Sequence, residues 1–428
     1  LFYTLLFFLP CMLIACGGSD DTPDGDNNPP VVAPPSEEPV DSRLLYNGIR
    51  LPEQWPPVRS SSSELEKGMS PFYLSDKPSV INISVGRQLF VDNFLIESTN
   101  LKRTFYYPEY YSGNPILTPE QDWEKTGTKG AAFAAPFSDG VWYDEKEGKY
   151  KMWYMAGGGS YATSGAGVTC YAESTDGIHW TKPTLPVVAG TNIVDYNSER
   201  DASVIWLDKQ ESNASKRYKM FLVARESGKW RYHYKTSPDG KVWRAAVQSE
   251  PIADRSTVYK NPFRNVWVYS MRHNVRVDAN KLVRARDYNE NADPEAGTKK
   301  AEALLSAFWF GPWANEQHHT DYPNIAPAIY NQDATPYESI MLGFFSVWQG
   351  PENDVCASDN VIKRNQVMVG YSRDGYSWFR EDMNPFHAVN TTTSDAWNQG
   401  NLQSVAGAPL IVGDKLYFYL SGRRLRGT

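Results

Sequence analysis

Four aspartates stand just ahead of apolar runs along this chain: Asp139 in Pro136-Phe137-Ser138-Asp139-Gly140, Asp201 in Arg200-Asp201-Ala202-Ser203, Asp254 in Asp254-Arg255-Ser256-Thr257, and Asp321 in Asp321-Tyr322-Pro323-Asn324. Carboxyl groups gathered at one place can divide acid and base work. A protonated one donates to a leaving oxygen, and an ionised one activates water or attacks carbon, as cleavage of a glycosidic bond requires. Arg225-Glu226, Arg272-His273 and Trp348-Gln349 each follow a later apolar run and are expected on the same rim. There Arg200, Arg255, Arg272, His273 and Asp321 would contact a ligand, and Trp348 would offer a flat face for a sugar ring.

A repeat supplies the means of gathering them. Ser174-Thr175-Asp176-Gly177-Ile178-His179-Trp180, Ser237-Pro238-Asp239-Gly240-Lys241-Val242-Trp243 and Ser372-Arg373-Asp374-Gly375-Tyr376-Ser377-Trp378 share the phrase Ser-x-Asp-Gly-x-x-Trp. Asp-Gly between β-rich runs marks a tight hairpin, because Gly accepts the positive φ such a turn needs. Trp180 and Trp243 lie 63 residues apart, and Trp243 and Trp378 lie 135 apart, close to twice as far. That leaves room for one unit whose phrase has decayed, near Arg284-Ala285-Arg286-Asp287-Tyr288. A period of this size suggests the blades of a propeller.

Each unit reads as a first strand, a turn, a strongly apolar second strand, a loop, and a third strand ending in the hairpin. The first two strands start near Val141 and Tyr150, Val204 and Tyr218, Thr257 and Val266, Ala328 and Ile340, and Ala408 and Leu416. The expected fold is therefore all-β, a five-bladed β-propeller whose last blade is incomplete at the C-terminus. A strand at Arg87–Asp92 is expected to close the ring and protect its edge. Hairpins and first turns fall on one face, which leaves Asp176, Asp239, Asp374, Asp144, Asp208 and Asp414 to turn duty. The starts of the first strands and the loops after the second strands fall on the other face, around the axis.

The 428 residues carry a formal net charge of −7 and are 41% hydrophobic and 14% aromatic. An acidic chain disfavours nucleic acid or an anionic lipid surface as the main partner, so neutral or weakly charged ligands fit better and a monomer is expected. Four Cys and six His form no close cluster, so no metal site and no cofactor is expected, with a structural Ca²⁺ left open. Cys170 and Cys356 are expected to be buried free thiols. Residues 1–15 are apolar but too short to span a bilayer, and Leu13-Ile14-Ala15-Cys16 resembles a bacterial lipobox in which Cys16 takes a lipid. The expected layout is a lipoprotein signal over 1–16, a disordered tether over 17–43 rich in Pro and Asp, and a propeller over 44–428 on an outer-membrane lipoprotein facing the periplasm or the cell surface.

Repeated Ser-x-Asp-Gly-x-x-Trp units with an acid ahead of successive first strands resemble the five-bladed β-propeller glycoside hydrolases, the superfamily containing families 32 and 43. Leu89-Phe90-Val91-Asp92, Tyr337-Glu338-Ser339 and Gly413-Asp414-Lys415-Leu416-Tyr417-Phe418-Tyr419 look like a bacterial lipoprotein branch of it. The resemblance implies a carbohydrate substrate, Asp139 as base or nucleophile, and Asp201 as the residue that orients substrate and tunes pKa. Those families place Glu at the third position, where this chain has Asp254 beside Arg255, whose charge would lower the carboxyl pKa. The acid is thus open between Asp254 and Glu226, with Glu338 and Glu352 behind them. A catalytically silent glycan-binding lipoprotein is the rival reading. His318 and His319 are expected to be structural.

Overall fold

The Ser-x-Asp-Gly phrase folds the same way three times. Ser174 Oγ accepts the Gly177 N–H at 2.9 Å, while Asp176 Oδ1 accepts those of Ile178 and His179 at 2.8 Å each. Ser237 and Asp239 repeat this with Gly240 and Lys241, and Ser372 and Asp374 with Gly375, Tyr376 and Ser377. Gly177, Gly240 and Gly375 have φ of 76°, 78° and 76°, the left-handed region where Gly carries no Cβ penalty. Each turn is held by a side chain of another unit: Tyr419 Oη donates to Gly177 O, Trp153 Nε1 to Gly240 O, and Tyr259 Oη to Gly375 O.

The structure, a computed structural model, describes residues 41–65, 67–125, 132–162, 167–278, 281–391 and 396–423. It is dominated by β-structure in three sheets. The first holds β1 (Ala134–Ala135), β2 (Val141–Asp144), β3 (Lys149–Ala156), β4 (Gly167–Ser174), β5 (Ile193–Leu207), β6 (Tyr218–Glu226), β7 (Lys229–Ser237) and β8 (Arg244–Gln248). The second holds β9 (Thr257–Asn261), β10 (Val266–Arg276), β11 (Leu282–Asn291) and β12 (Ala307–Phe310). The third holds β13 (Ala328–Tyr337), β14 (Ile340–Gly350), β15 (Arg364–Ser372), β16 (Asn401–Val412) and β17 (Lys415–Arg423).

Two sequence units share the first sheet because β5 serves both. Its N-terminal part pairs with β4 and its C-terminal part with β6, and the register breaks between Arg200 and Ser203. In the third sheet, β15 and β16 meet only at a parallel bridge between Asn365 and Asn401. The five first strands lie in sequence against one another: β2 against β5, β5 against β9, β9 against β13, β13 against β16, and β16 against β2. Between them the apolar second strands bury Trp153, Met220, Phe221, Trp267, Tyr269 and Phe345 in one continuous core.

Three expectations change. Arg284–Tyr288 is no decayed hairpin but lies within β11, paired with β10; the third unit reaches its fourth strand through the helix Pro294–Lys300 instead of a two-residue turn. Arg87–Asp92 forms no strand. It packs Leu89 and Val91 on the Ile340, Leu342 and Phe344 side of β14, and Asp92 receives the buried Arg373 guanidinium at 2.8 Å. Asp321 does not lead a strand, since β13 begins only at Ala328. Cys170 and Cys356 are free and buried. Cys16 and residues 1–40 lie outside the described residues.

Candidate active site

The break in β5 puts Arg200 and Asp201 at a bulge, a common device for aiming side chains beside a site. Asp139, on the loop before β2, is tied to β5 through its carbonyl, which accepts the Ile205 N–H at 2.5 Å. Its carboxylate has no exposed surface and takes both forks of Arg200, at 2.7 and 3.1 Å. Arg200 also donates to Thr169 Oγ1 at 2.6 Å. Burial pushes the Asp139 carboxyl upward, against the opposing charges of Arg200 and Arg255.

Arg255 adopts φ of 52°, and that turn sends its backbone N–H to Asp201 Oδ2 at 2.7 Å and its Nε to within 3.3 Å of Asp201 Oδ1. Asp254 pairs instead with Arg272. The Asp254 carboxyl is pushed above its ordinary range, first by burial and then by the Asp201 charge, with Arg272, Arg255 and Arg284 opposing. This reverses the sequence expectation: the Arg255 charge does act to lower Asp254, but burial and the Asp201 charge outweigh it. The Arg255 charge is felt at Asp139, Asp201 and Asp254 alike, so the three acids lie around one guanidinium, with Asp201 and Asp254 at the mouth and Asp139 buried behind them.

A groove of about 480 Å³ adjoins this mouth, lined by Arg272, Asn274, Arg284, Asn324, Trp348 and Glu352 among others. Trp348 is only 7% exposed and packs with Val275, Val283 and Phe308, so it is part of the groove wall and not a free platform. The Arg284 guanidinium lies 5.0 Å over its ring. His273 Nδ1 sits 2.9 Å from Asp287 Oδ2, a bond that raises the imidazole pKa.

Other expected residues lie apart. Glu226 is exposed at the tip of the β6–β7 hairpin, opposite Lys229, and the group that registers its charge is His233. Asp321 is exposed in a loop, its N–H donating to His319 Nδ1, while His319 Nε2 faces Ile362 O and His318 Nδ1 faces Pro323 O. Glu338, at the β13–β14 turn, pairs with Arg87 at 2.7 Å.

One acid escaped the sequence reading. Asp333, in the middle of β13, accepts the Val405 N–H at 3.0 Å and the Asn331 amide at 2.9 Å, and burial raises its carboxyl to about 6. It lines a small cavity with Ser138, Trp142, Val204, Val258 and Val405, where the five first strands converge. The polar run Asn331-Gln332-Asp333 inside an otherwise apolar strand was the available signal.

No family model and no curated protein matches the chain. Among solved structures it is similar to a fructofuranosidase from Schwanniomyces occidentalis complexed with fructosylnystose, at 13% identity and TM-score 0.39 over 62% of this chain and 47% of that one. The chain thus spans about half the length of that enzyme. It is also similar to an N-acetylgalactosamine deacetylase from F. plautii in complex with blood group B trisaccharide, at 11% identity and TM-score 0.43 over 68% and 78%. A third likeness is to a structure from the family of mannoside phosphorylases that contains glycoside hydrolases targeting β-1,2 mannosidic linkages in Candida mannan, at 13% identity and TM-score 0.42 over 77% and 95%. At such scores and identities the likeness carries no argument about this chain's reaction.

Proposed function

We propose that this chain is a glycoside hydrolase built on a five-bladed propeller, acting on an extracellular glycan. The observation that carries the reading is the convergence of Asp139, Asp201 and Asp254, from the loop before β2, the bulge within β5 and the turn before β9, around the single guanidinium of Arg255. The cyclic order of the first strands, and the hold of Tyr419 in the last unit on the turn of the first, support the ring.

Asp254 is the proton donor, its carboxyl raised above the ordinary range by burial and by the neighbouring Asp201 charge. Asp201 is the carboxylate that faces the substrate. Two acids in unlike surroundings, one of them raised by burial and by its neighbour's charge, suit the pairing this chemistry uses. Asp139 has no surface open to a substrate, so it acts by fixing Arg200. Rings at Tyr330 and Trp348 border the place where a sugar would lie.

The test is release of reducing sugar by the purified protein against a polysaccharide panel, beside Asp254→Asn and Asp201→Asn. Turnover lost in both variants with binding kept supports the assignment. Binding in every form with no turnover in any favours the second reading, a glycan-binding protein, which is favoured by the arginine partner that each acid has. A lipid on Cys16 is part of the same proposal, and incorporation of labelled fatty acid in cells, lost in Cys16→Ala, tests it.

A further inference from the structure

Arginines and aromatic rings alternate across the mouth. Arg284 lies over Trp348 and, at 5.7 Å, over Tyr330; Arg255 lies 5.5 Å from both Tyr330 and Phe137; Arg423 lies 5.4 Å over Phe137. The row runs from the groove to the three acids. Lys363 belongs with it, because the charges of Arg423 and Arg284 both press its pKa down, after burial. Burial and the charge of Arg255 do the same to Arg423, with Tyr330 and the Asp201 charge opposing.

The cations are unevenly matched. Arg255 has Asp201 and Arg272 has Asp254, while Arg284 meets Glu352 only at 3.5 Å, with that carboxylate 57% exposed. Among the described residues no carboxylate lies within ion-pair distance of Arg423 or Lys363. Lys363 Nζ donates to the neutral Asn353 Oδ1. Partly buried cations that repel one another, and that only more distant carboxylates oppose, cost free energy, and a bound anion would relieve that cost. The chain's net charge of −7 therefore hides a locally cationic site.

We infer that the mouth, beside the groove and not within it, receives an anionic group on the sugar, a carboxylate or a sulfate ester, held by Arg423 and Lys363 with Arg284 on the groove side. The inference rests on the reading of this mouth as a sugar site and narrows the substrate class. The planar guanidinium fork matches either oxyanion with two parallel bonds, and the rings beneath the arginines hold those guanidinium groups in place.

Calorimetric titration of the full chain tests it, with three probes: uronate oligosaccharides, the same oligosaccharides with their carboxyls reduced to alcohols, and sulfated oligosaccharides. At least one anionic probe is expected to bind about tenfold or more tightly than the neutral, reduced one, as charged hydrogen bonds require. Whether the uronate or the sulfated arm shows this identifies the oxyanion. Arg423→Gln and Lys363→Gln should each erase most of the preference for the anionic probe over the reduced one. If Arg423→Gln does not fold, Lys363→Gln, whose described hydrogen bond is to Asn353, decides alone. Equal binding of parent and reduced probes, or a preference that survives both variants, overturns the inference but leaves the sugar site standing. Failure of every glycan to bind overturns the reading beneath it.

Discussion

Arg255 follows Asp254 in the chain, yet it closes on Asp201, giving its backbone N–H at 2.7 Å and its guanidinium at 3.3 Å. The left-handed turn at Arg255 makes this possible and leaves Asp254 to Arg272. Two carboxyls on different sheets thereby acquire different surroundings. One accepts two bonds from a cation; the other is raised by burial and by its neighbour's charge.

Asp254→Asn is expected to lower kcat by about 10²–10⁴, the range for loss of a general acid, with glycan affinity held within a few-fold. The wild-type rate should fall as pH rises through the raised pKa of Asp254, because only the protonated form donates. A basic limb unchanged in the variant, read from kcat against pH, would remove Asp254 from this role.

Glu226→Gln should leave turnover within about twofold, since an exposed hairpin tip contributes little. Steady-state rates on the best substrate are the check. A large loss would return the donor role to Glu226.

Asp333 gives stability a pH dependence. Its folded carboxyl titrates at about 6, whereas an unfolded Asp titrates near about 4. The folded chain holds that proton to higher pH, so the contribution is complete below about 4 and is lost as pH rises through about 6. The ceiling is roughly 3 kcal/mol for a shift of about two units. Urea midpoints measured from pH 4 to 7 should show this decline, and Asp333→Asn should flatten it; the same slope in both proteins would refute the assignment.

Gly240→Ala is expected to destabilise by about 1–3 kcal/mol, because its Cβ would lie 2.3 Å from the Trp153 ring at φ of 78°. Gly228 has the same φ but open space around it, so Gly228→Ala should cost only the backbone strain, about 1 kcal/mol. Thermal melts of the two variants isolate the contact with Trp153. Equal losses would mean that this contact carries nothing.

Asp92→Ala removes the partner of a buried guanidinium that also donates to Leu89 O at 2.8 Å. Stranding Arg373 should cost about 3–5 kcal/mol. A midpoint shift in denaturant below about 1 kcal/mol would show that the segment around Leu89 is not fastened there.

The hairpins and the second strands were legible because turn chemistry and strand periodicity are local. Arg87–Asp92 alternates like a strand but is held by side chains alone, and nothing nearby in sequence announces Arg373 as its partner. Arg284–Tyr288 looked like a lost turn because the helix Pro294–Lys300 replaces the expected phrase further on. Ion-pair choice was beyond reach: Arg255 is adjacent to Asp254, but its bonds run to a residue 54 positions earlier. Asp321 was misplaced because the loop pinned by His319 delays β13, and Asp333 was overlooked because it lies in mid-strand, where a turn-based sorting does not look.

The continuous run of β5 welds two sequence units into one slab that carries Asp139, Arg200 and Asp201 together. Asp254 leads into a separate slab, whose approach is pinned to the first by one backbone bridge between Ile252 and Trp230, at 2.9 Å. The spacing between Asp201 and Asp254, which in the proposed hydrolysis would fix whether the anomeric configuration is kept or inverted, is therefore set by that bridge and by the clasp of Arg255.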